Sequence, residues 1–292
     1  MGFKGYWWDH CIMKRLKKLK DEAALDKNKK TVIAITPTYV HVNQSRHFCE
    51  LTRTLVNLPY NVIWIVVEAG GPTNETAKRF SKELRQLVEV KHVGFDYNIP
   101  SEGVAREKME AQMRLQALRV VKEEKLDGIV IFADEADHHD RKFFYEIQKV
   151  RWIGSVPIIV GRDGSIHNEK IIQAPACNNN SSLHHQNNGW RIHSRPCRGC
   201  NVSDIVLPEK LKWSEFVMNS RLVWKEESSA KKPEWINKDL DMIMAAGNHK
   251  SDEINNPLSF VKDSSMVEAL GGCGLRWLIC RHCENVYSYC YY

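Results

Sequence analysis

The run Thr31-Val-Ile-Ala-Ile-Thr36 is short, mostly apolar and rich in β-branched residues, and Pro37 follows it directly. Residues 61–68 and 127–133 form two similar runs, and residues 86–93 form a weaker one. Continuous apolar runs of this length are typical of strands that are covered on both faces of a sheet. The sequence therefore predicts four buried strands in the first half of the chain.

Helical patterns lie between these strands, at residues 45–56, 74–87 and 106–124. The last of them carries an apolar stripe at four-residue spacing, formed by Met109, Met113, Ala117 and Val121. Strands that alternate with helices predict an open, mostly parallel α/β sheet flanked by helices. Ligands of such sheets bind beyond the carboxyl ends of the strands, so the loops that follow the strands are the candidate site.

The loop after the fourth strand is acidic, with Asp134, Glu135 and Asp137 close together. Carboxylates at a strand end can hold a divalent cation that neutralises a diphosphate. A helicase would also need a Gly-x-x-x-x-Gly-Lys-Ser/Thr phosphate loop, which the sequence lacks, so that class is excluded. A nucleotide-sugar glycosyltransferase with an Asp-x-Asp-like motif needs no such loop. The structural alternative is that Asp137 or Asp140 caps a helix that begins near Arg141.

Charge and hydropathy exclude further classes. The net charge is +6, and the first 30 residues hold nine basic against four acidic residues, so the rest is nearly neutral. An excess confined to one predicted helical arm, residues 14–26, favours a solvated arm or stalk over a nucleic-acid surface. The longest apolar run is the six residues 62–67, whereas a membrane-spanning helix needs roughly 18.

Two Cys-x-x-Cys pairs, Cys197-Arg-Gly-Cys200 and Cys280-Arg-His-Cys283, suggest a metal or redox protein as a further interpretation. The 79 residues between the pairs far exceed the usual gap of a zinc ribbon. Incidental cysteines, or disulfides in an oxidising compartment, are therefore favoured over zinc.

Beyond residue 162 the strand and helix pattern ends. Residues 178–188 are predicted to be a loop, and regular structure is predicted again at residues 207–224.

Several segments taken together match a known family. They are Thr31-Val-Ile-Ala-Ile-Thr-Pro-Thr-Tyr39, Trp64-Ile-Val-Val-Glu-Ala-Gly-Gly71, Thr73-Asn-Glu-Thr-Ala77, His92-Val-Gly-Phe-Asp96, Lys125-Leu-Asp-Gly-Ile-Val-Ile-Phe-Ala-Asp134, Pro175-Ala-Cys177 and residues 110–121, 144–154, 213–224 and 233–268. In this order they resemble glycosyltransferase family 43, the inverting glucuronosyltransferase group. The resemblance is closer to its plant branch, the irregular-xylem-14-type xylosyltransferase-like proteins of xylan synthesis.

The resemblance implies a GT-A fold, a UDP-sugar donor, a xylan or oligosaccharide acceptor, and Mn²⁺ or Mg²⁺ as the cofactor. It also implies a type II protein of the Golgi membrane with a lumenal domain, other xylan synthase subunits as partners, and no nucleic acid. The expected organisation is a basic helical arm at residues 1–30, a family-43-like domain at 31–274 and a diverged tail at 275–292. That tail resembles no family strand, so we expect it to stand apart from the sheet beside the acidic loop and not to complete the nucleotide site.

Donor-site residues are carried over from the family one by one. Tyr39 is expected against the uracil ring, where it would offer a flat apolar face. Arg114 is expected to reach the donor, and the strand-end rule adds Glu68 to the same site. Asp134 and Glu135 match the first two acids of the family's triple-acid motif. The metal set expected from the acidic loop is therefore Asp134, Glu135 and Asp137.

Two departures from the family pattern leave the activity open. The third acid of the metal motif falls at Ala136, and the catalytic-base glutamate falls at Asn255. Glu253 is the nearest carboxylate and is therefore the expected general base. The alternative function is a catalytically inactive scaffold subunit of a xylan synthase complex, which both replacements and the diverged tail favour.

Overall fold

The computed structural model describes residues 10–26, 28–161, 170–177, 187–193, 205–206, 212–224, 257, 267–271 and 278–281. The helices are α1 (His10–Leu25), α2 (Gln44–Val56), α3 (Asn74–Ala77), α4 (Lys82–Leu87), α5 (Gly103–Glu123), α6 (Arg141–Ile147) and α7 (Arg221–Trp224). The strands are β1 (Val32–Thr38), β2 (Val62–Ala69), β3 (Glu89–Phe95), β4 (Ile129–Phe132), β5 (Asp137–His139), β6 (Ile153–Ser155), β7 (Ile158–Gly161), β8 (Lys170–Cys177), β9 (Asn187–His193), β10 (Ile205–Val206), β11 (Phe216–Asn219), β12 (Val267–Ala269) and β13 (Ile279–Arg281).

Within the described residues, the central sheet has seven strands in the order β12-β6-β11-β4-β1-β2-β3. Strands β3, β2, β1 and β4 are mutually parallel, and β11 runs antiparallel between β4 and β6. Every residue of β1 is buried, as its apolar sequence predicts. The predicted fold class, an open mostly parallel sheet of the GT-A type flanked by helices, is confirmed.

Side chains of the central strands alternate between two apolar layers. In β1, Val32 and Ala34 join the layer under α2, α4 and α6, whereas Ile33 and Ile35 join the layer under α5. The stripe expected on the long helix lies in this second layer: Met113, Ala117 and Val121 are fully buried and Met109 packs against them. These layers fix α2 and α5 on opposite faces of the same strands.

The helix predicted at residues 74–87 is two helices, α3 and α4. The hydroxyl of Ser81 accepts a hydrogen bond from the backbone N–H of Leu84, which starts a second helix there. Because α4 takes up residues 82–87, the third strand begins at Glu89 rather than at residue 86. The other three predicted strands and the other two helices occur where the sequence pattern predicts them, with ends shifted by at most three residues.

The part of the chain that the structure describes also forms a second sheet, with six strands in the order β10-β9-β8-β7-β13-β5. Strands β8 and β9 are an antiparallel pair, so the expectation that regular structure stops after residue 162 is wrong for residues 170–177 and 187–193. Strand β8 also pairs antiparallel with β7. The β8–β9 ladder has a register shift at Pro175/Cys177, and such an irregularity interrupts the alternation of side chains that would mark a strand in the sequence. The loop predicted at residues 178–188 lies outside the described residues except for 187 and 188.

The tail enters the second sheet through β13. This strand pairs antiparallel with β5, directly after the acidic loop, and parallel with β7. Leu278, Ile279 and Cys280 are buried, and the carbonyl of Leu278 accepts the backbone N–H of Asp140 at 2.9 Å. The expectation that the tail stands apart from the sheet beside the acidic loop is therefore wrong for residues 278–281. The strand is held in the second sheet by the burial of three consecutive apolar residues. An apolar run of three residues is too short to predict a strand from the sequence.

The basic arm is also attached to the domain. Leu16 of α1 belongs to the layer that α2 and α4 cover, and Lys20 is buried. The Lys20 ammonium donates to the carbonyls of Tyr60 at 2.9 Å and Leu55 at 3.2 Å. One face of α1 is thus docked rather than solvated. Among the helices of the described residues, none combines the length and the hydropathy that crossing a membrane requires.

Candidate functional site

Tyr39 and Asp134 lie at the same edge of the central sheet. Each follows the carboxyl end of a strand, and β1 and β4 are parallel neighbours with Ile35 opposite Phe132. The hydroxyl of Thr36 donates to the carbonyl of Ala133 at 2.8 Å, which ties the two strand ends together. The strand-end rule therefore brings the segments after β1 and β4 to one place.

Arg114 reaches this edge from α5. Its side chain is buried and forms ion pairs with Asp134 and with Glu110, the latter at 3.5 Å between Nη2 and Oε2. Burial by itself lowers the pKa of Arg114, but the Asp134 and Glu110 carboxylates outweigh it and raise that pKa. Burial also raises the pKa of Glu110. Arg114 is therefore a fixed positive charge between two acids at the edge of the sheet.

Glu135 points the other way, towards the segment after β1. Its Oε2 lies 2.9 Å from Nε2 of His41 and 3.5 Å from Nδ1 of His47. Burial raises the pKa of Glu135, but the hydrogen bonds from the side chains of His41, His47 and Thr38 outweigh that effect and lower it. The other oxygen, Oε1, is buried and has no hydrogen-bond partner among the described residues.

Sequence reasoning missed the two histidines and Arg106. Both histidines follow β1, so the strand-end rule could have singled them out, but a histidine in a turn (His41) and one in a first helical turn (His47) form no recognisable motif. The His41 ring lies 4.7 Å from the Tyr39 ring, centroid to centroid. The Arg106 guanidinium carbon lies 5.7 Å from the Tyr39 centroid. A base that stacks on Tyr39 would therefore lie close to His41 and Arg106.

Glu68 lies at the carboxyl end of β2 and is completely buried. Its carboxylate accepts hydrogen bonds from the backbone N–H and the hydroxyl of Thr73, both at 2.8 Å, and from the Thr76 hydroxyl at 2.6 Å. Nε2 of His92 is 2.7 Å away. Burial raises the pKa of Glu68, but the bonds from Thr76 and Thr73 outweigh it and lower it. The structure thus gives Glu68 a local role in holding the loop after β2, and a contact with a donor stays a prediction.

The acids of the acidic loop separate. Asp134 pairs with Arg114, Glu135 with the histidines, and Asp137 is buried on β5. Asp140 caps α6, because its Oδ1 accepts the backbone N–H of Lys142 at 2.7 Å. The capping alternative is therefore confirmed for Asp140.

The residues expected to hold the metal do not form one ligand set in the described parts of the chain. The group of possible metal ligands found there is His41, His47 and Glu135. Two imidazoles and a carboxylate fit a later transition ion such as Zn²⁺ better than they fit Mg²⁺ or Mn²⁺, which prefer oxygen ligands. The expected general base, Glu253, and the position of Asn255 lie outside the described residues.

An open, mostly parallel sheet with charged side chains at the carboxyl edge of β1 and β4 has the architecture of a nucleotide-sugar glycosyltransferase. Residues 51–274 match the family model of glycosyltransferase family 43. The chain belongs to this family, and the resemblance seen in the sequence is confirmed.

Plant proteins match this chain over most of its length. β-1,4-Xylosyltransferase IRX14 of Arabidopsis thaliana is 40% identical over an alignment 297 positions long, which covers 92% of this chain and 54% of that protein. A probable β-1,4-xylosyltransferase IRX14 of Oryza sativa subsp. japonica is 37% identical, with 92% and 52% covered. The chain spans about half the length of these relatives. A solved structure of S. aureus TarS with UDP has 12% identity and a TM-score of 0.40, over 86% of this chain and 60% of TarS.

Proposed function

We propose that this protein is an inverting glycosyltransferase that transfers a sugar from a UDP-sugar to xylan or a related oligosaccharide. The observation that carries the proposal is the grouping of Tyr39, Arg114, Asp134 and Glu135 at one edge of the sheet, in a member of family 43. The names of its relatives as β-1,4-xylosyltransferases support the acceptor class.

The donor would lie across the ends of β1 and β4. Tyr39 would offer its ring to the uracil, and Arg106, beside that ring, would face the negative end of the nucleotide. Arg114 is already compensated by two carboxylates, so this edge has little free positive charge for a diphosphate. A bound Mn²⁺ would supply the missing positive charge and stabilise the departing diphosphate.

In the transfer step an acceptor hydroxyl attacks the anomeric carbon of the donor. The bond from that carbon to the diphosphate oxygen breaks, UDP leaves, and the configuration inverts. The proton of the acceptor hydroxyl passes to a general base, a role we propose for Glu253. Asp134 would hold the donor in place through its position after β4 and its pairing with Arg114.

We also propose a setting for this reaction. By family resemblance the protein would be a type II protein of the Golgi membrane with its catalytic part in the lumen. There it would act together with other subunits of a xylan synthase.

A transfer assay tests the proposal. The purified protein is incubated with a xylo-oligosaccharide, Mn²⁺ and, in turn, UDP-xylose, UDP-glucuronic acid and UDP-N-acetylglucosamine. We expect lengthened acceptor with UDP-xylose, and we expect Glu253→Gln to lose at least 100-fold of the rate, as general-base catalysis contributes about 10²–10⁴-fold.

The scaffold alternative is favoured by Ala136 and Asn255, which stand where the family has acids. It predicts no transfer with any donor, together with co-purification of an active xylan synthase subunit on this protein. That pair of results would replace the enzyme proposal by the scaffold proposal.

A further inference from the structure

We infer that His41, His47 and Glu135 form a binding site for a first-row transition-metal dication, with a preference for Zn²⁺ or Co²⁺ over Mg²⁺. This goes beyond the proposed function and does not rest on it, because metal binding is measured without a donor or an acceptor. It also differs from the set of three acids expected from the sequence, since only Glu135 is shared.

The local backbone holds the two histidines on one side of Glu135. The backbone N–H of Gln44 donates to the carbonyl of His41, and the backbone N–H of His47 donates to the carbonyl of Asn43, both at 3.1 Å. His41 therefore sits in the turn that leads into α2, and His47 sits in the first turn of that helix. Glu135 approaches them from the loop after β4.

The distances suit a shared ion. One ligand atom from each residue can be chosen so that all three lie within 4.8 Å of one another. Both histidines approach the same carboxylate oxygen, at 2.9 and 3.5 Å. Metal–ligand bonds of about 2.0–2.2 Å in a tetrahedron place neighbouring ligand atoms about 3.4 Å apart. An ion would therefore need only small side-chain rotations.

The second observation is the state of the Glu135 carboxylate. Its side chain is only 9% exposed. The Thr38 side chain faces the carboxylate besides the two histidines, yet the buried Oε1 has no hydrogen bond of ordinary geometry among the described residues. A buried carboxylate oxygen without a partner is costly, and bidentate or bridging coordination of a cation would satisfy it. The two histidine side chains are 19% and 26% exposed, which leaves a path for an ion from solvent.

The chemistry of the ligand atoms determines which metal ion the site prefers. Imidazole nitrogen suits zinc, cobalt and related ions, whereas Mg²⁺ keeps oxygen ligands and several waters. The Tyr39 ring lies 4.7 Å from the His41 ring and restricts its orientation. An ion held here would lie beside the aromatic ring that we assign to the uracil.

In the test, the whole chain is first treated with a chelator to remove bound metal. Co²⁺ is then added as the probe, and its binding is measured by visible absorption and by calorimetry. Co²⁺ also reports its ligands, because thiolate ligation gives charge-transfer bands that nitrogen and oxygen ligation does not. We expect one Co²⁺ bound without thiolate bands, displaced by Zn²⁺ but not by an equal concentration of Mg²⁺. We expect His47→Gln and Glu135→Gln to weaken binding at least tenfold, and His138→Gln, which changes a histidine outside the cluster, to leave it unchanged.

Unfolding temperatures in the presence of EDTA serve as the folding control, and added Co²⁺ should raise them only for wild type and His138→Gln. If His47→Gln does not fold, His41→Asn removes a ligand from the loop instead of from α2. Equal Co²⁺ affinity in wild type and in the folded cluster variants would overturn the inference. So would displacement by equimolar Mg²⁺, or a spectrum dominated by thiolate bands.

Discussion

Two acids at the same edge of the sheet differ in what surrounds them, and this sets their roles. Glu68 is fully buried, and two threonines and a histidine surround its carboxylate. The Asp134 side chain is 30% exposed and faces the Arg114 guanidinium. The first acid therefore stabilises a loop, whereas the second has a side open to a ligand. Sequence reasoning placed both at strand ends but could not separate them, because burial is a property of the folded chain.

Replacing Glu68 by Gln tests its structural role. The amide nitrogen of Gln would face N–H and O–H groups of Thr73 and Thr76, which donate hydrogen bonds to Glu68. At least one of these buried groups would therefore lose its hydrogen-bond acceptor. We expect a loss of about 2–4 kcal/mol in the free energy of unfolding, measured by urea titration. Glu89→Gln is the matched control, since the Glu89 side chain is 57% exposed in an ion pair with Lys91, and it should change stability by less than about 0.5 kcal/mol. Equal stabilities for the two variants would contradict this role.

At the scale of elements, the parallel strands of the central sheet could be predicted from the sequence, but the strands of the second sheet could not. Strands β1, β2 and β4 are covered on both faces, so their burial leaves continuous apolar runs in the sequence. Strand β13 has three residues and pairs with β5 and β7, which are distant in the chain. The β8–β9 pair contains a register shift, which interrupts the alternation of its side chains. The same limit applies to the site: the residues at strand ends were predicted, but His41 and His47 join Glu135 only through tertiary proximity.

Helix α1 provides a prediction at this scale, because burial lowers the pKa of Lys20 to about 7. An unfolded lysine keeps its proton up to about pH 10.4. Between these values the unfolded chain binds more protons, so the stability of the folded state rises with pH. From pH 7 to 9 we expect Lys20 to contribute at most about 2.7 kcal/mol of added stability.

Urea titrations at the two pH values check this for two lysines of α1. Lys20→Met should lose most of the gain that wild type shows between pH 7 and 9. Lys17→Met removes an exposed lysine of the same helix and should keep the gain. A Lys20→Met protein with the wild-type pH dependence would show that Lys20 does not titrate in this range.

The whole molecule joins two sheets, and the tail strand β13 belongs to the second. Cys49 on α2 and Cys280 on β13 are both disulfide-bonded. Disulfides persist in oxidising compartments, which agrees with the lumenal setting that we propose. The tail is thus part of the fold at residues 278–281, although its sequence diverges from the family.

Alkylation of the denatured protein tests these bonds. Without a reductant, Cys49 and Cys280 should stay unlabelled in peptide mass spectra, and after reduction both should label fully. Reduction should also lower the free energy of unfolding by about 2–4 kcal/mol, the usual effect of losing a disulfide. Full labelling of both cysteines before reduction would mean that the bonds do not form.

The central claim, that the donor binds at the carboxyl edge of β1 and β4, is tested most directly by calorimetric titration of UDP with Mn²⁺ present. Asp134 and Asp127 flank β4 at its two ends, and each is paired with an arginine. After Asp134→Asn, Glu110 still compensates Arg114, so the fold should be retained. We predict that Asp134→Asn weakens UDP binding at least tenfold and that Asp127→Asn leaves it within twofold of wild type. No UDP binding by the wild-type protein, or equal binding by the two variants, would contradict the claim.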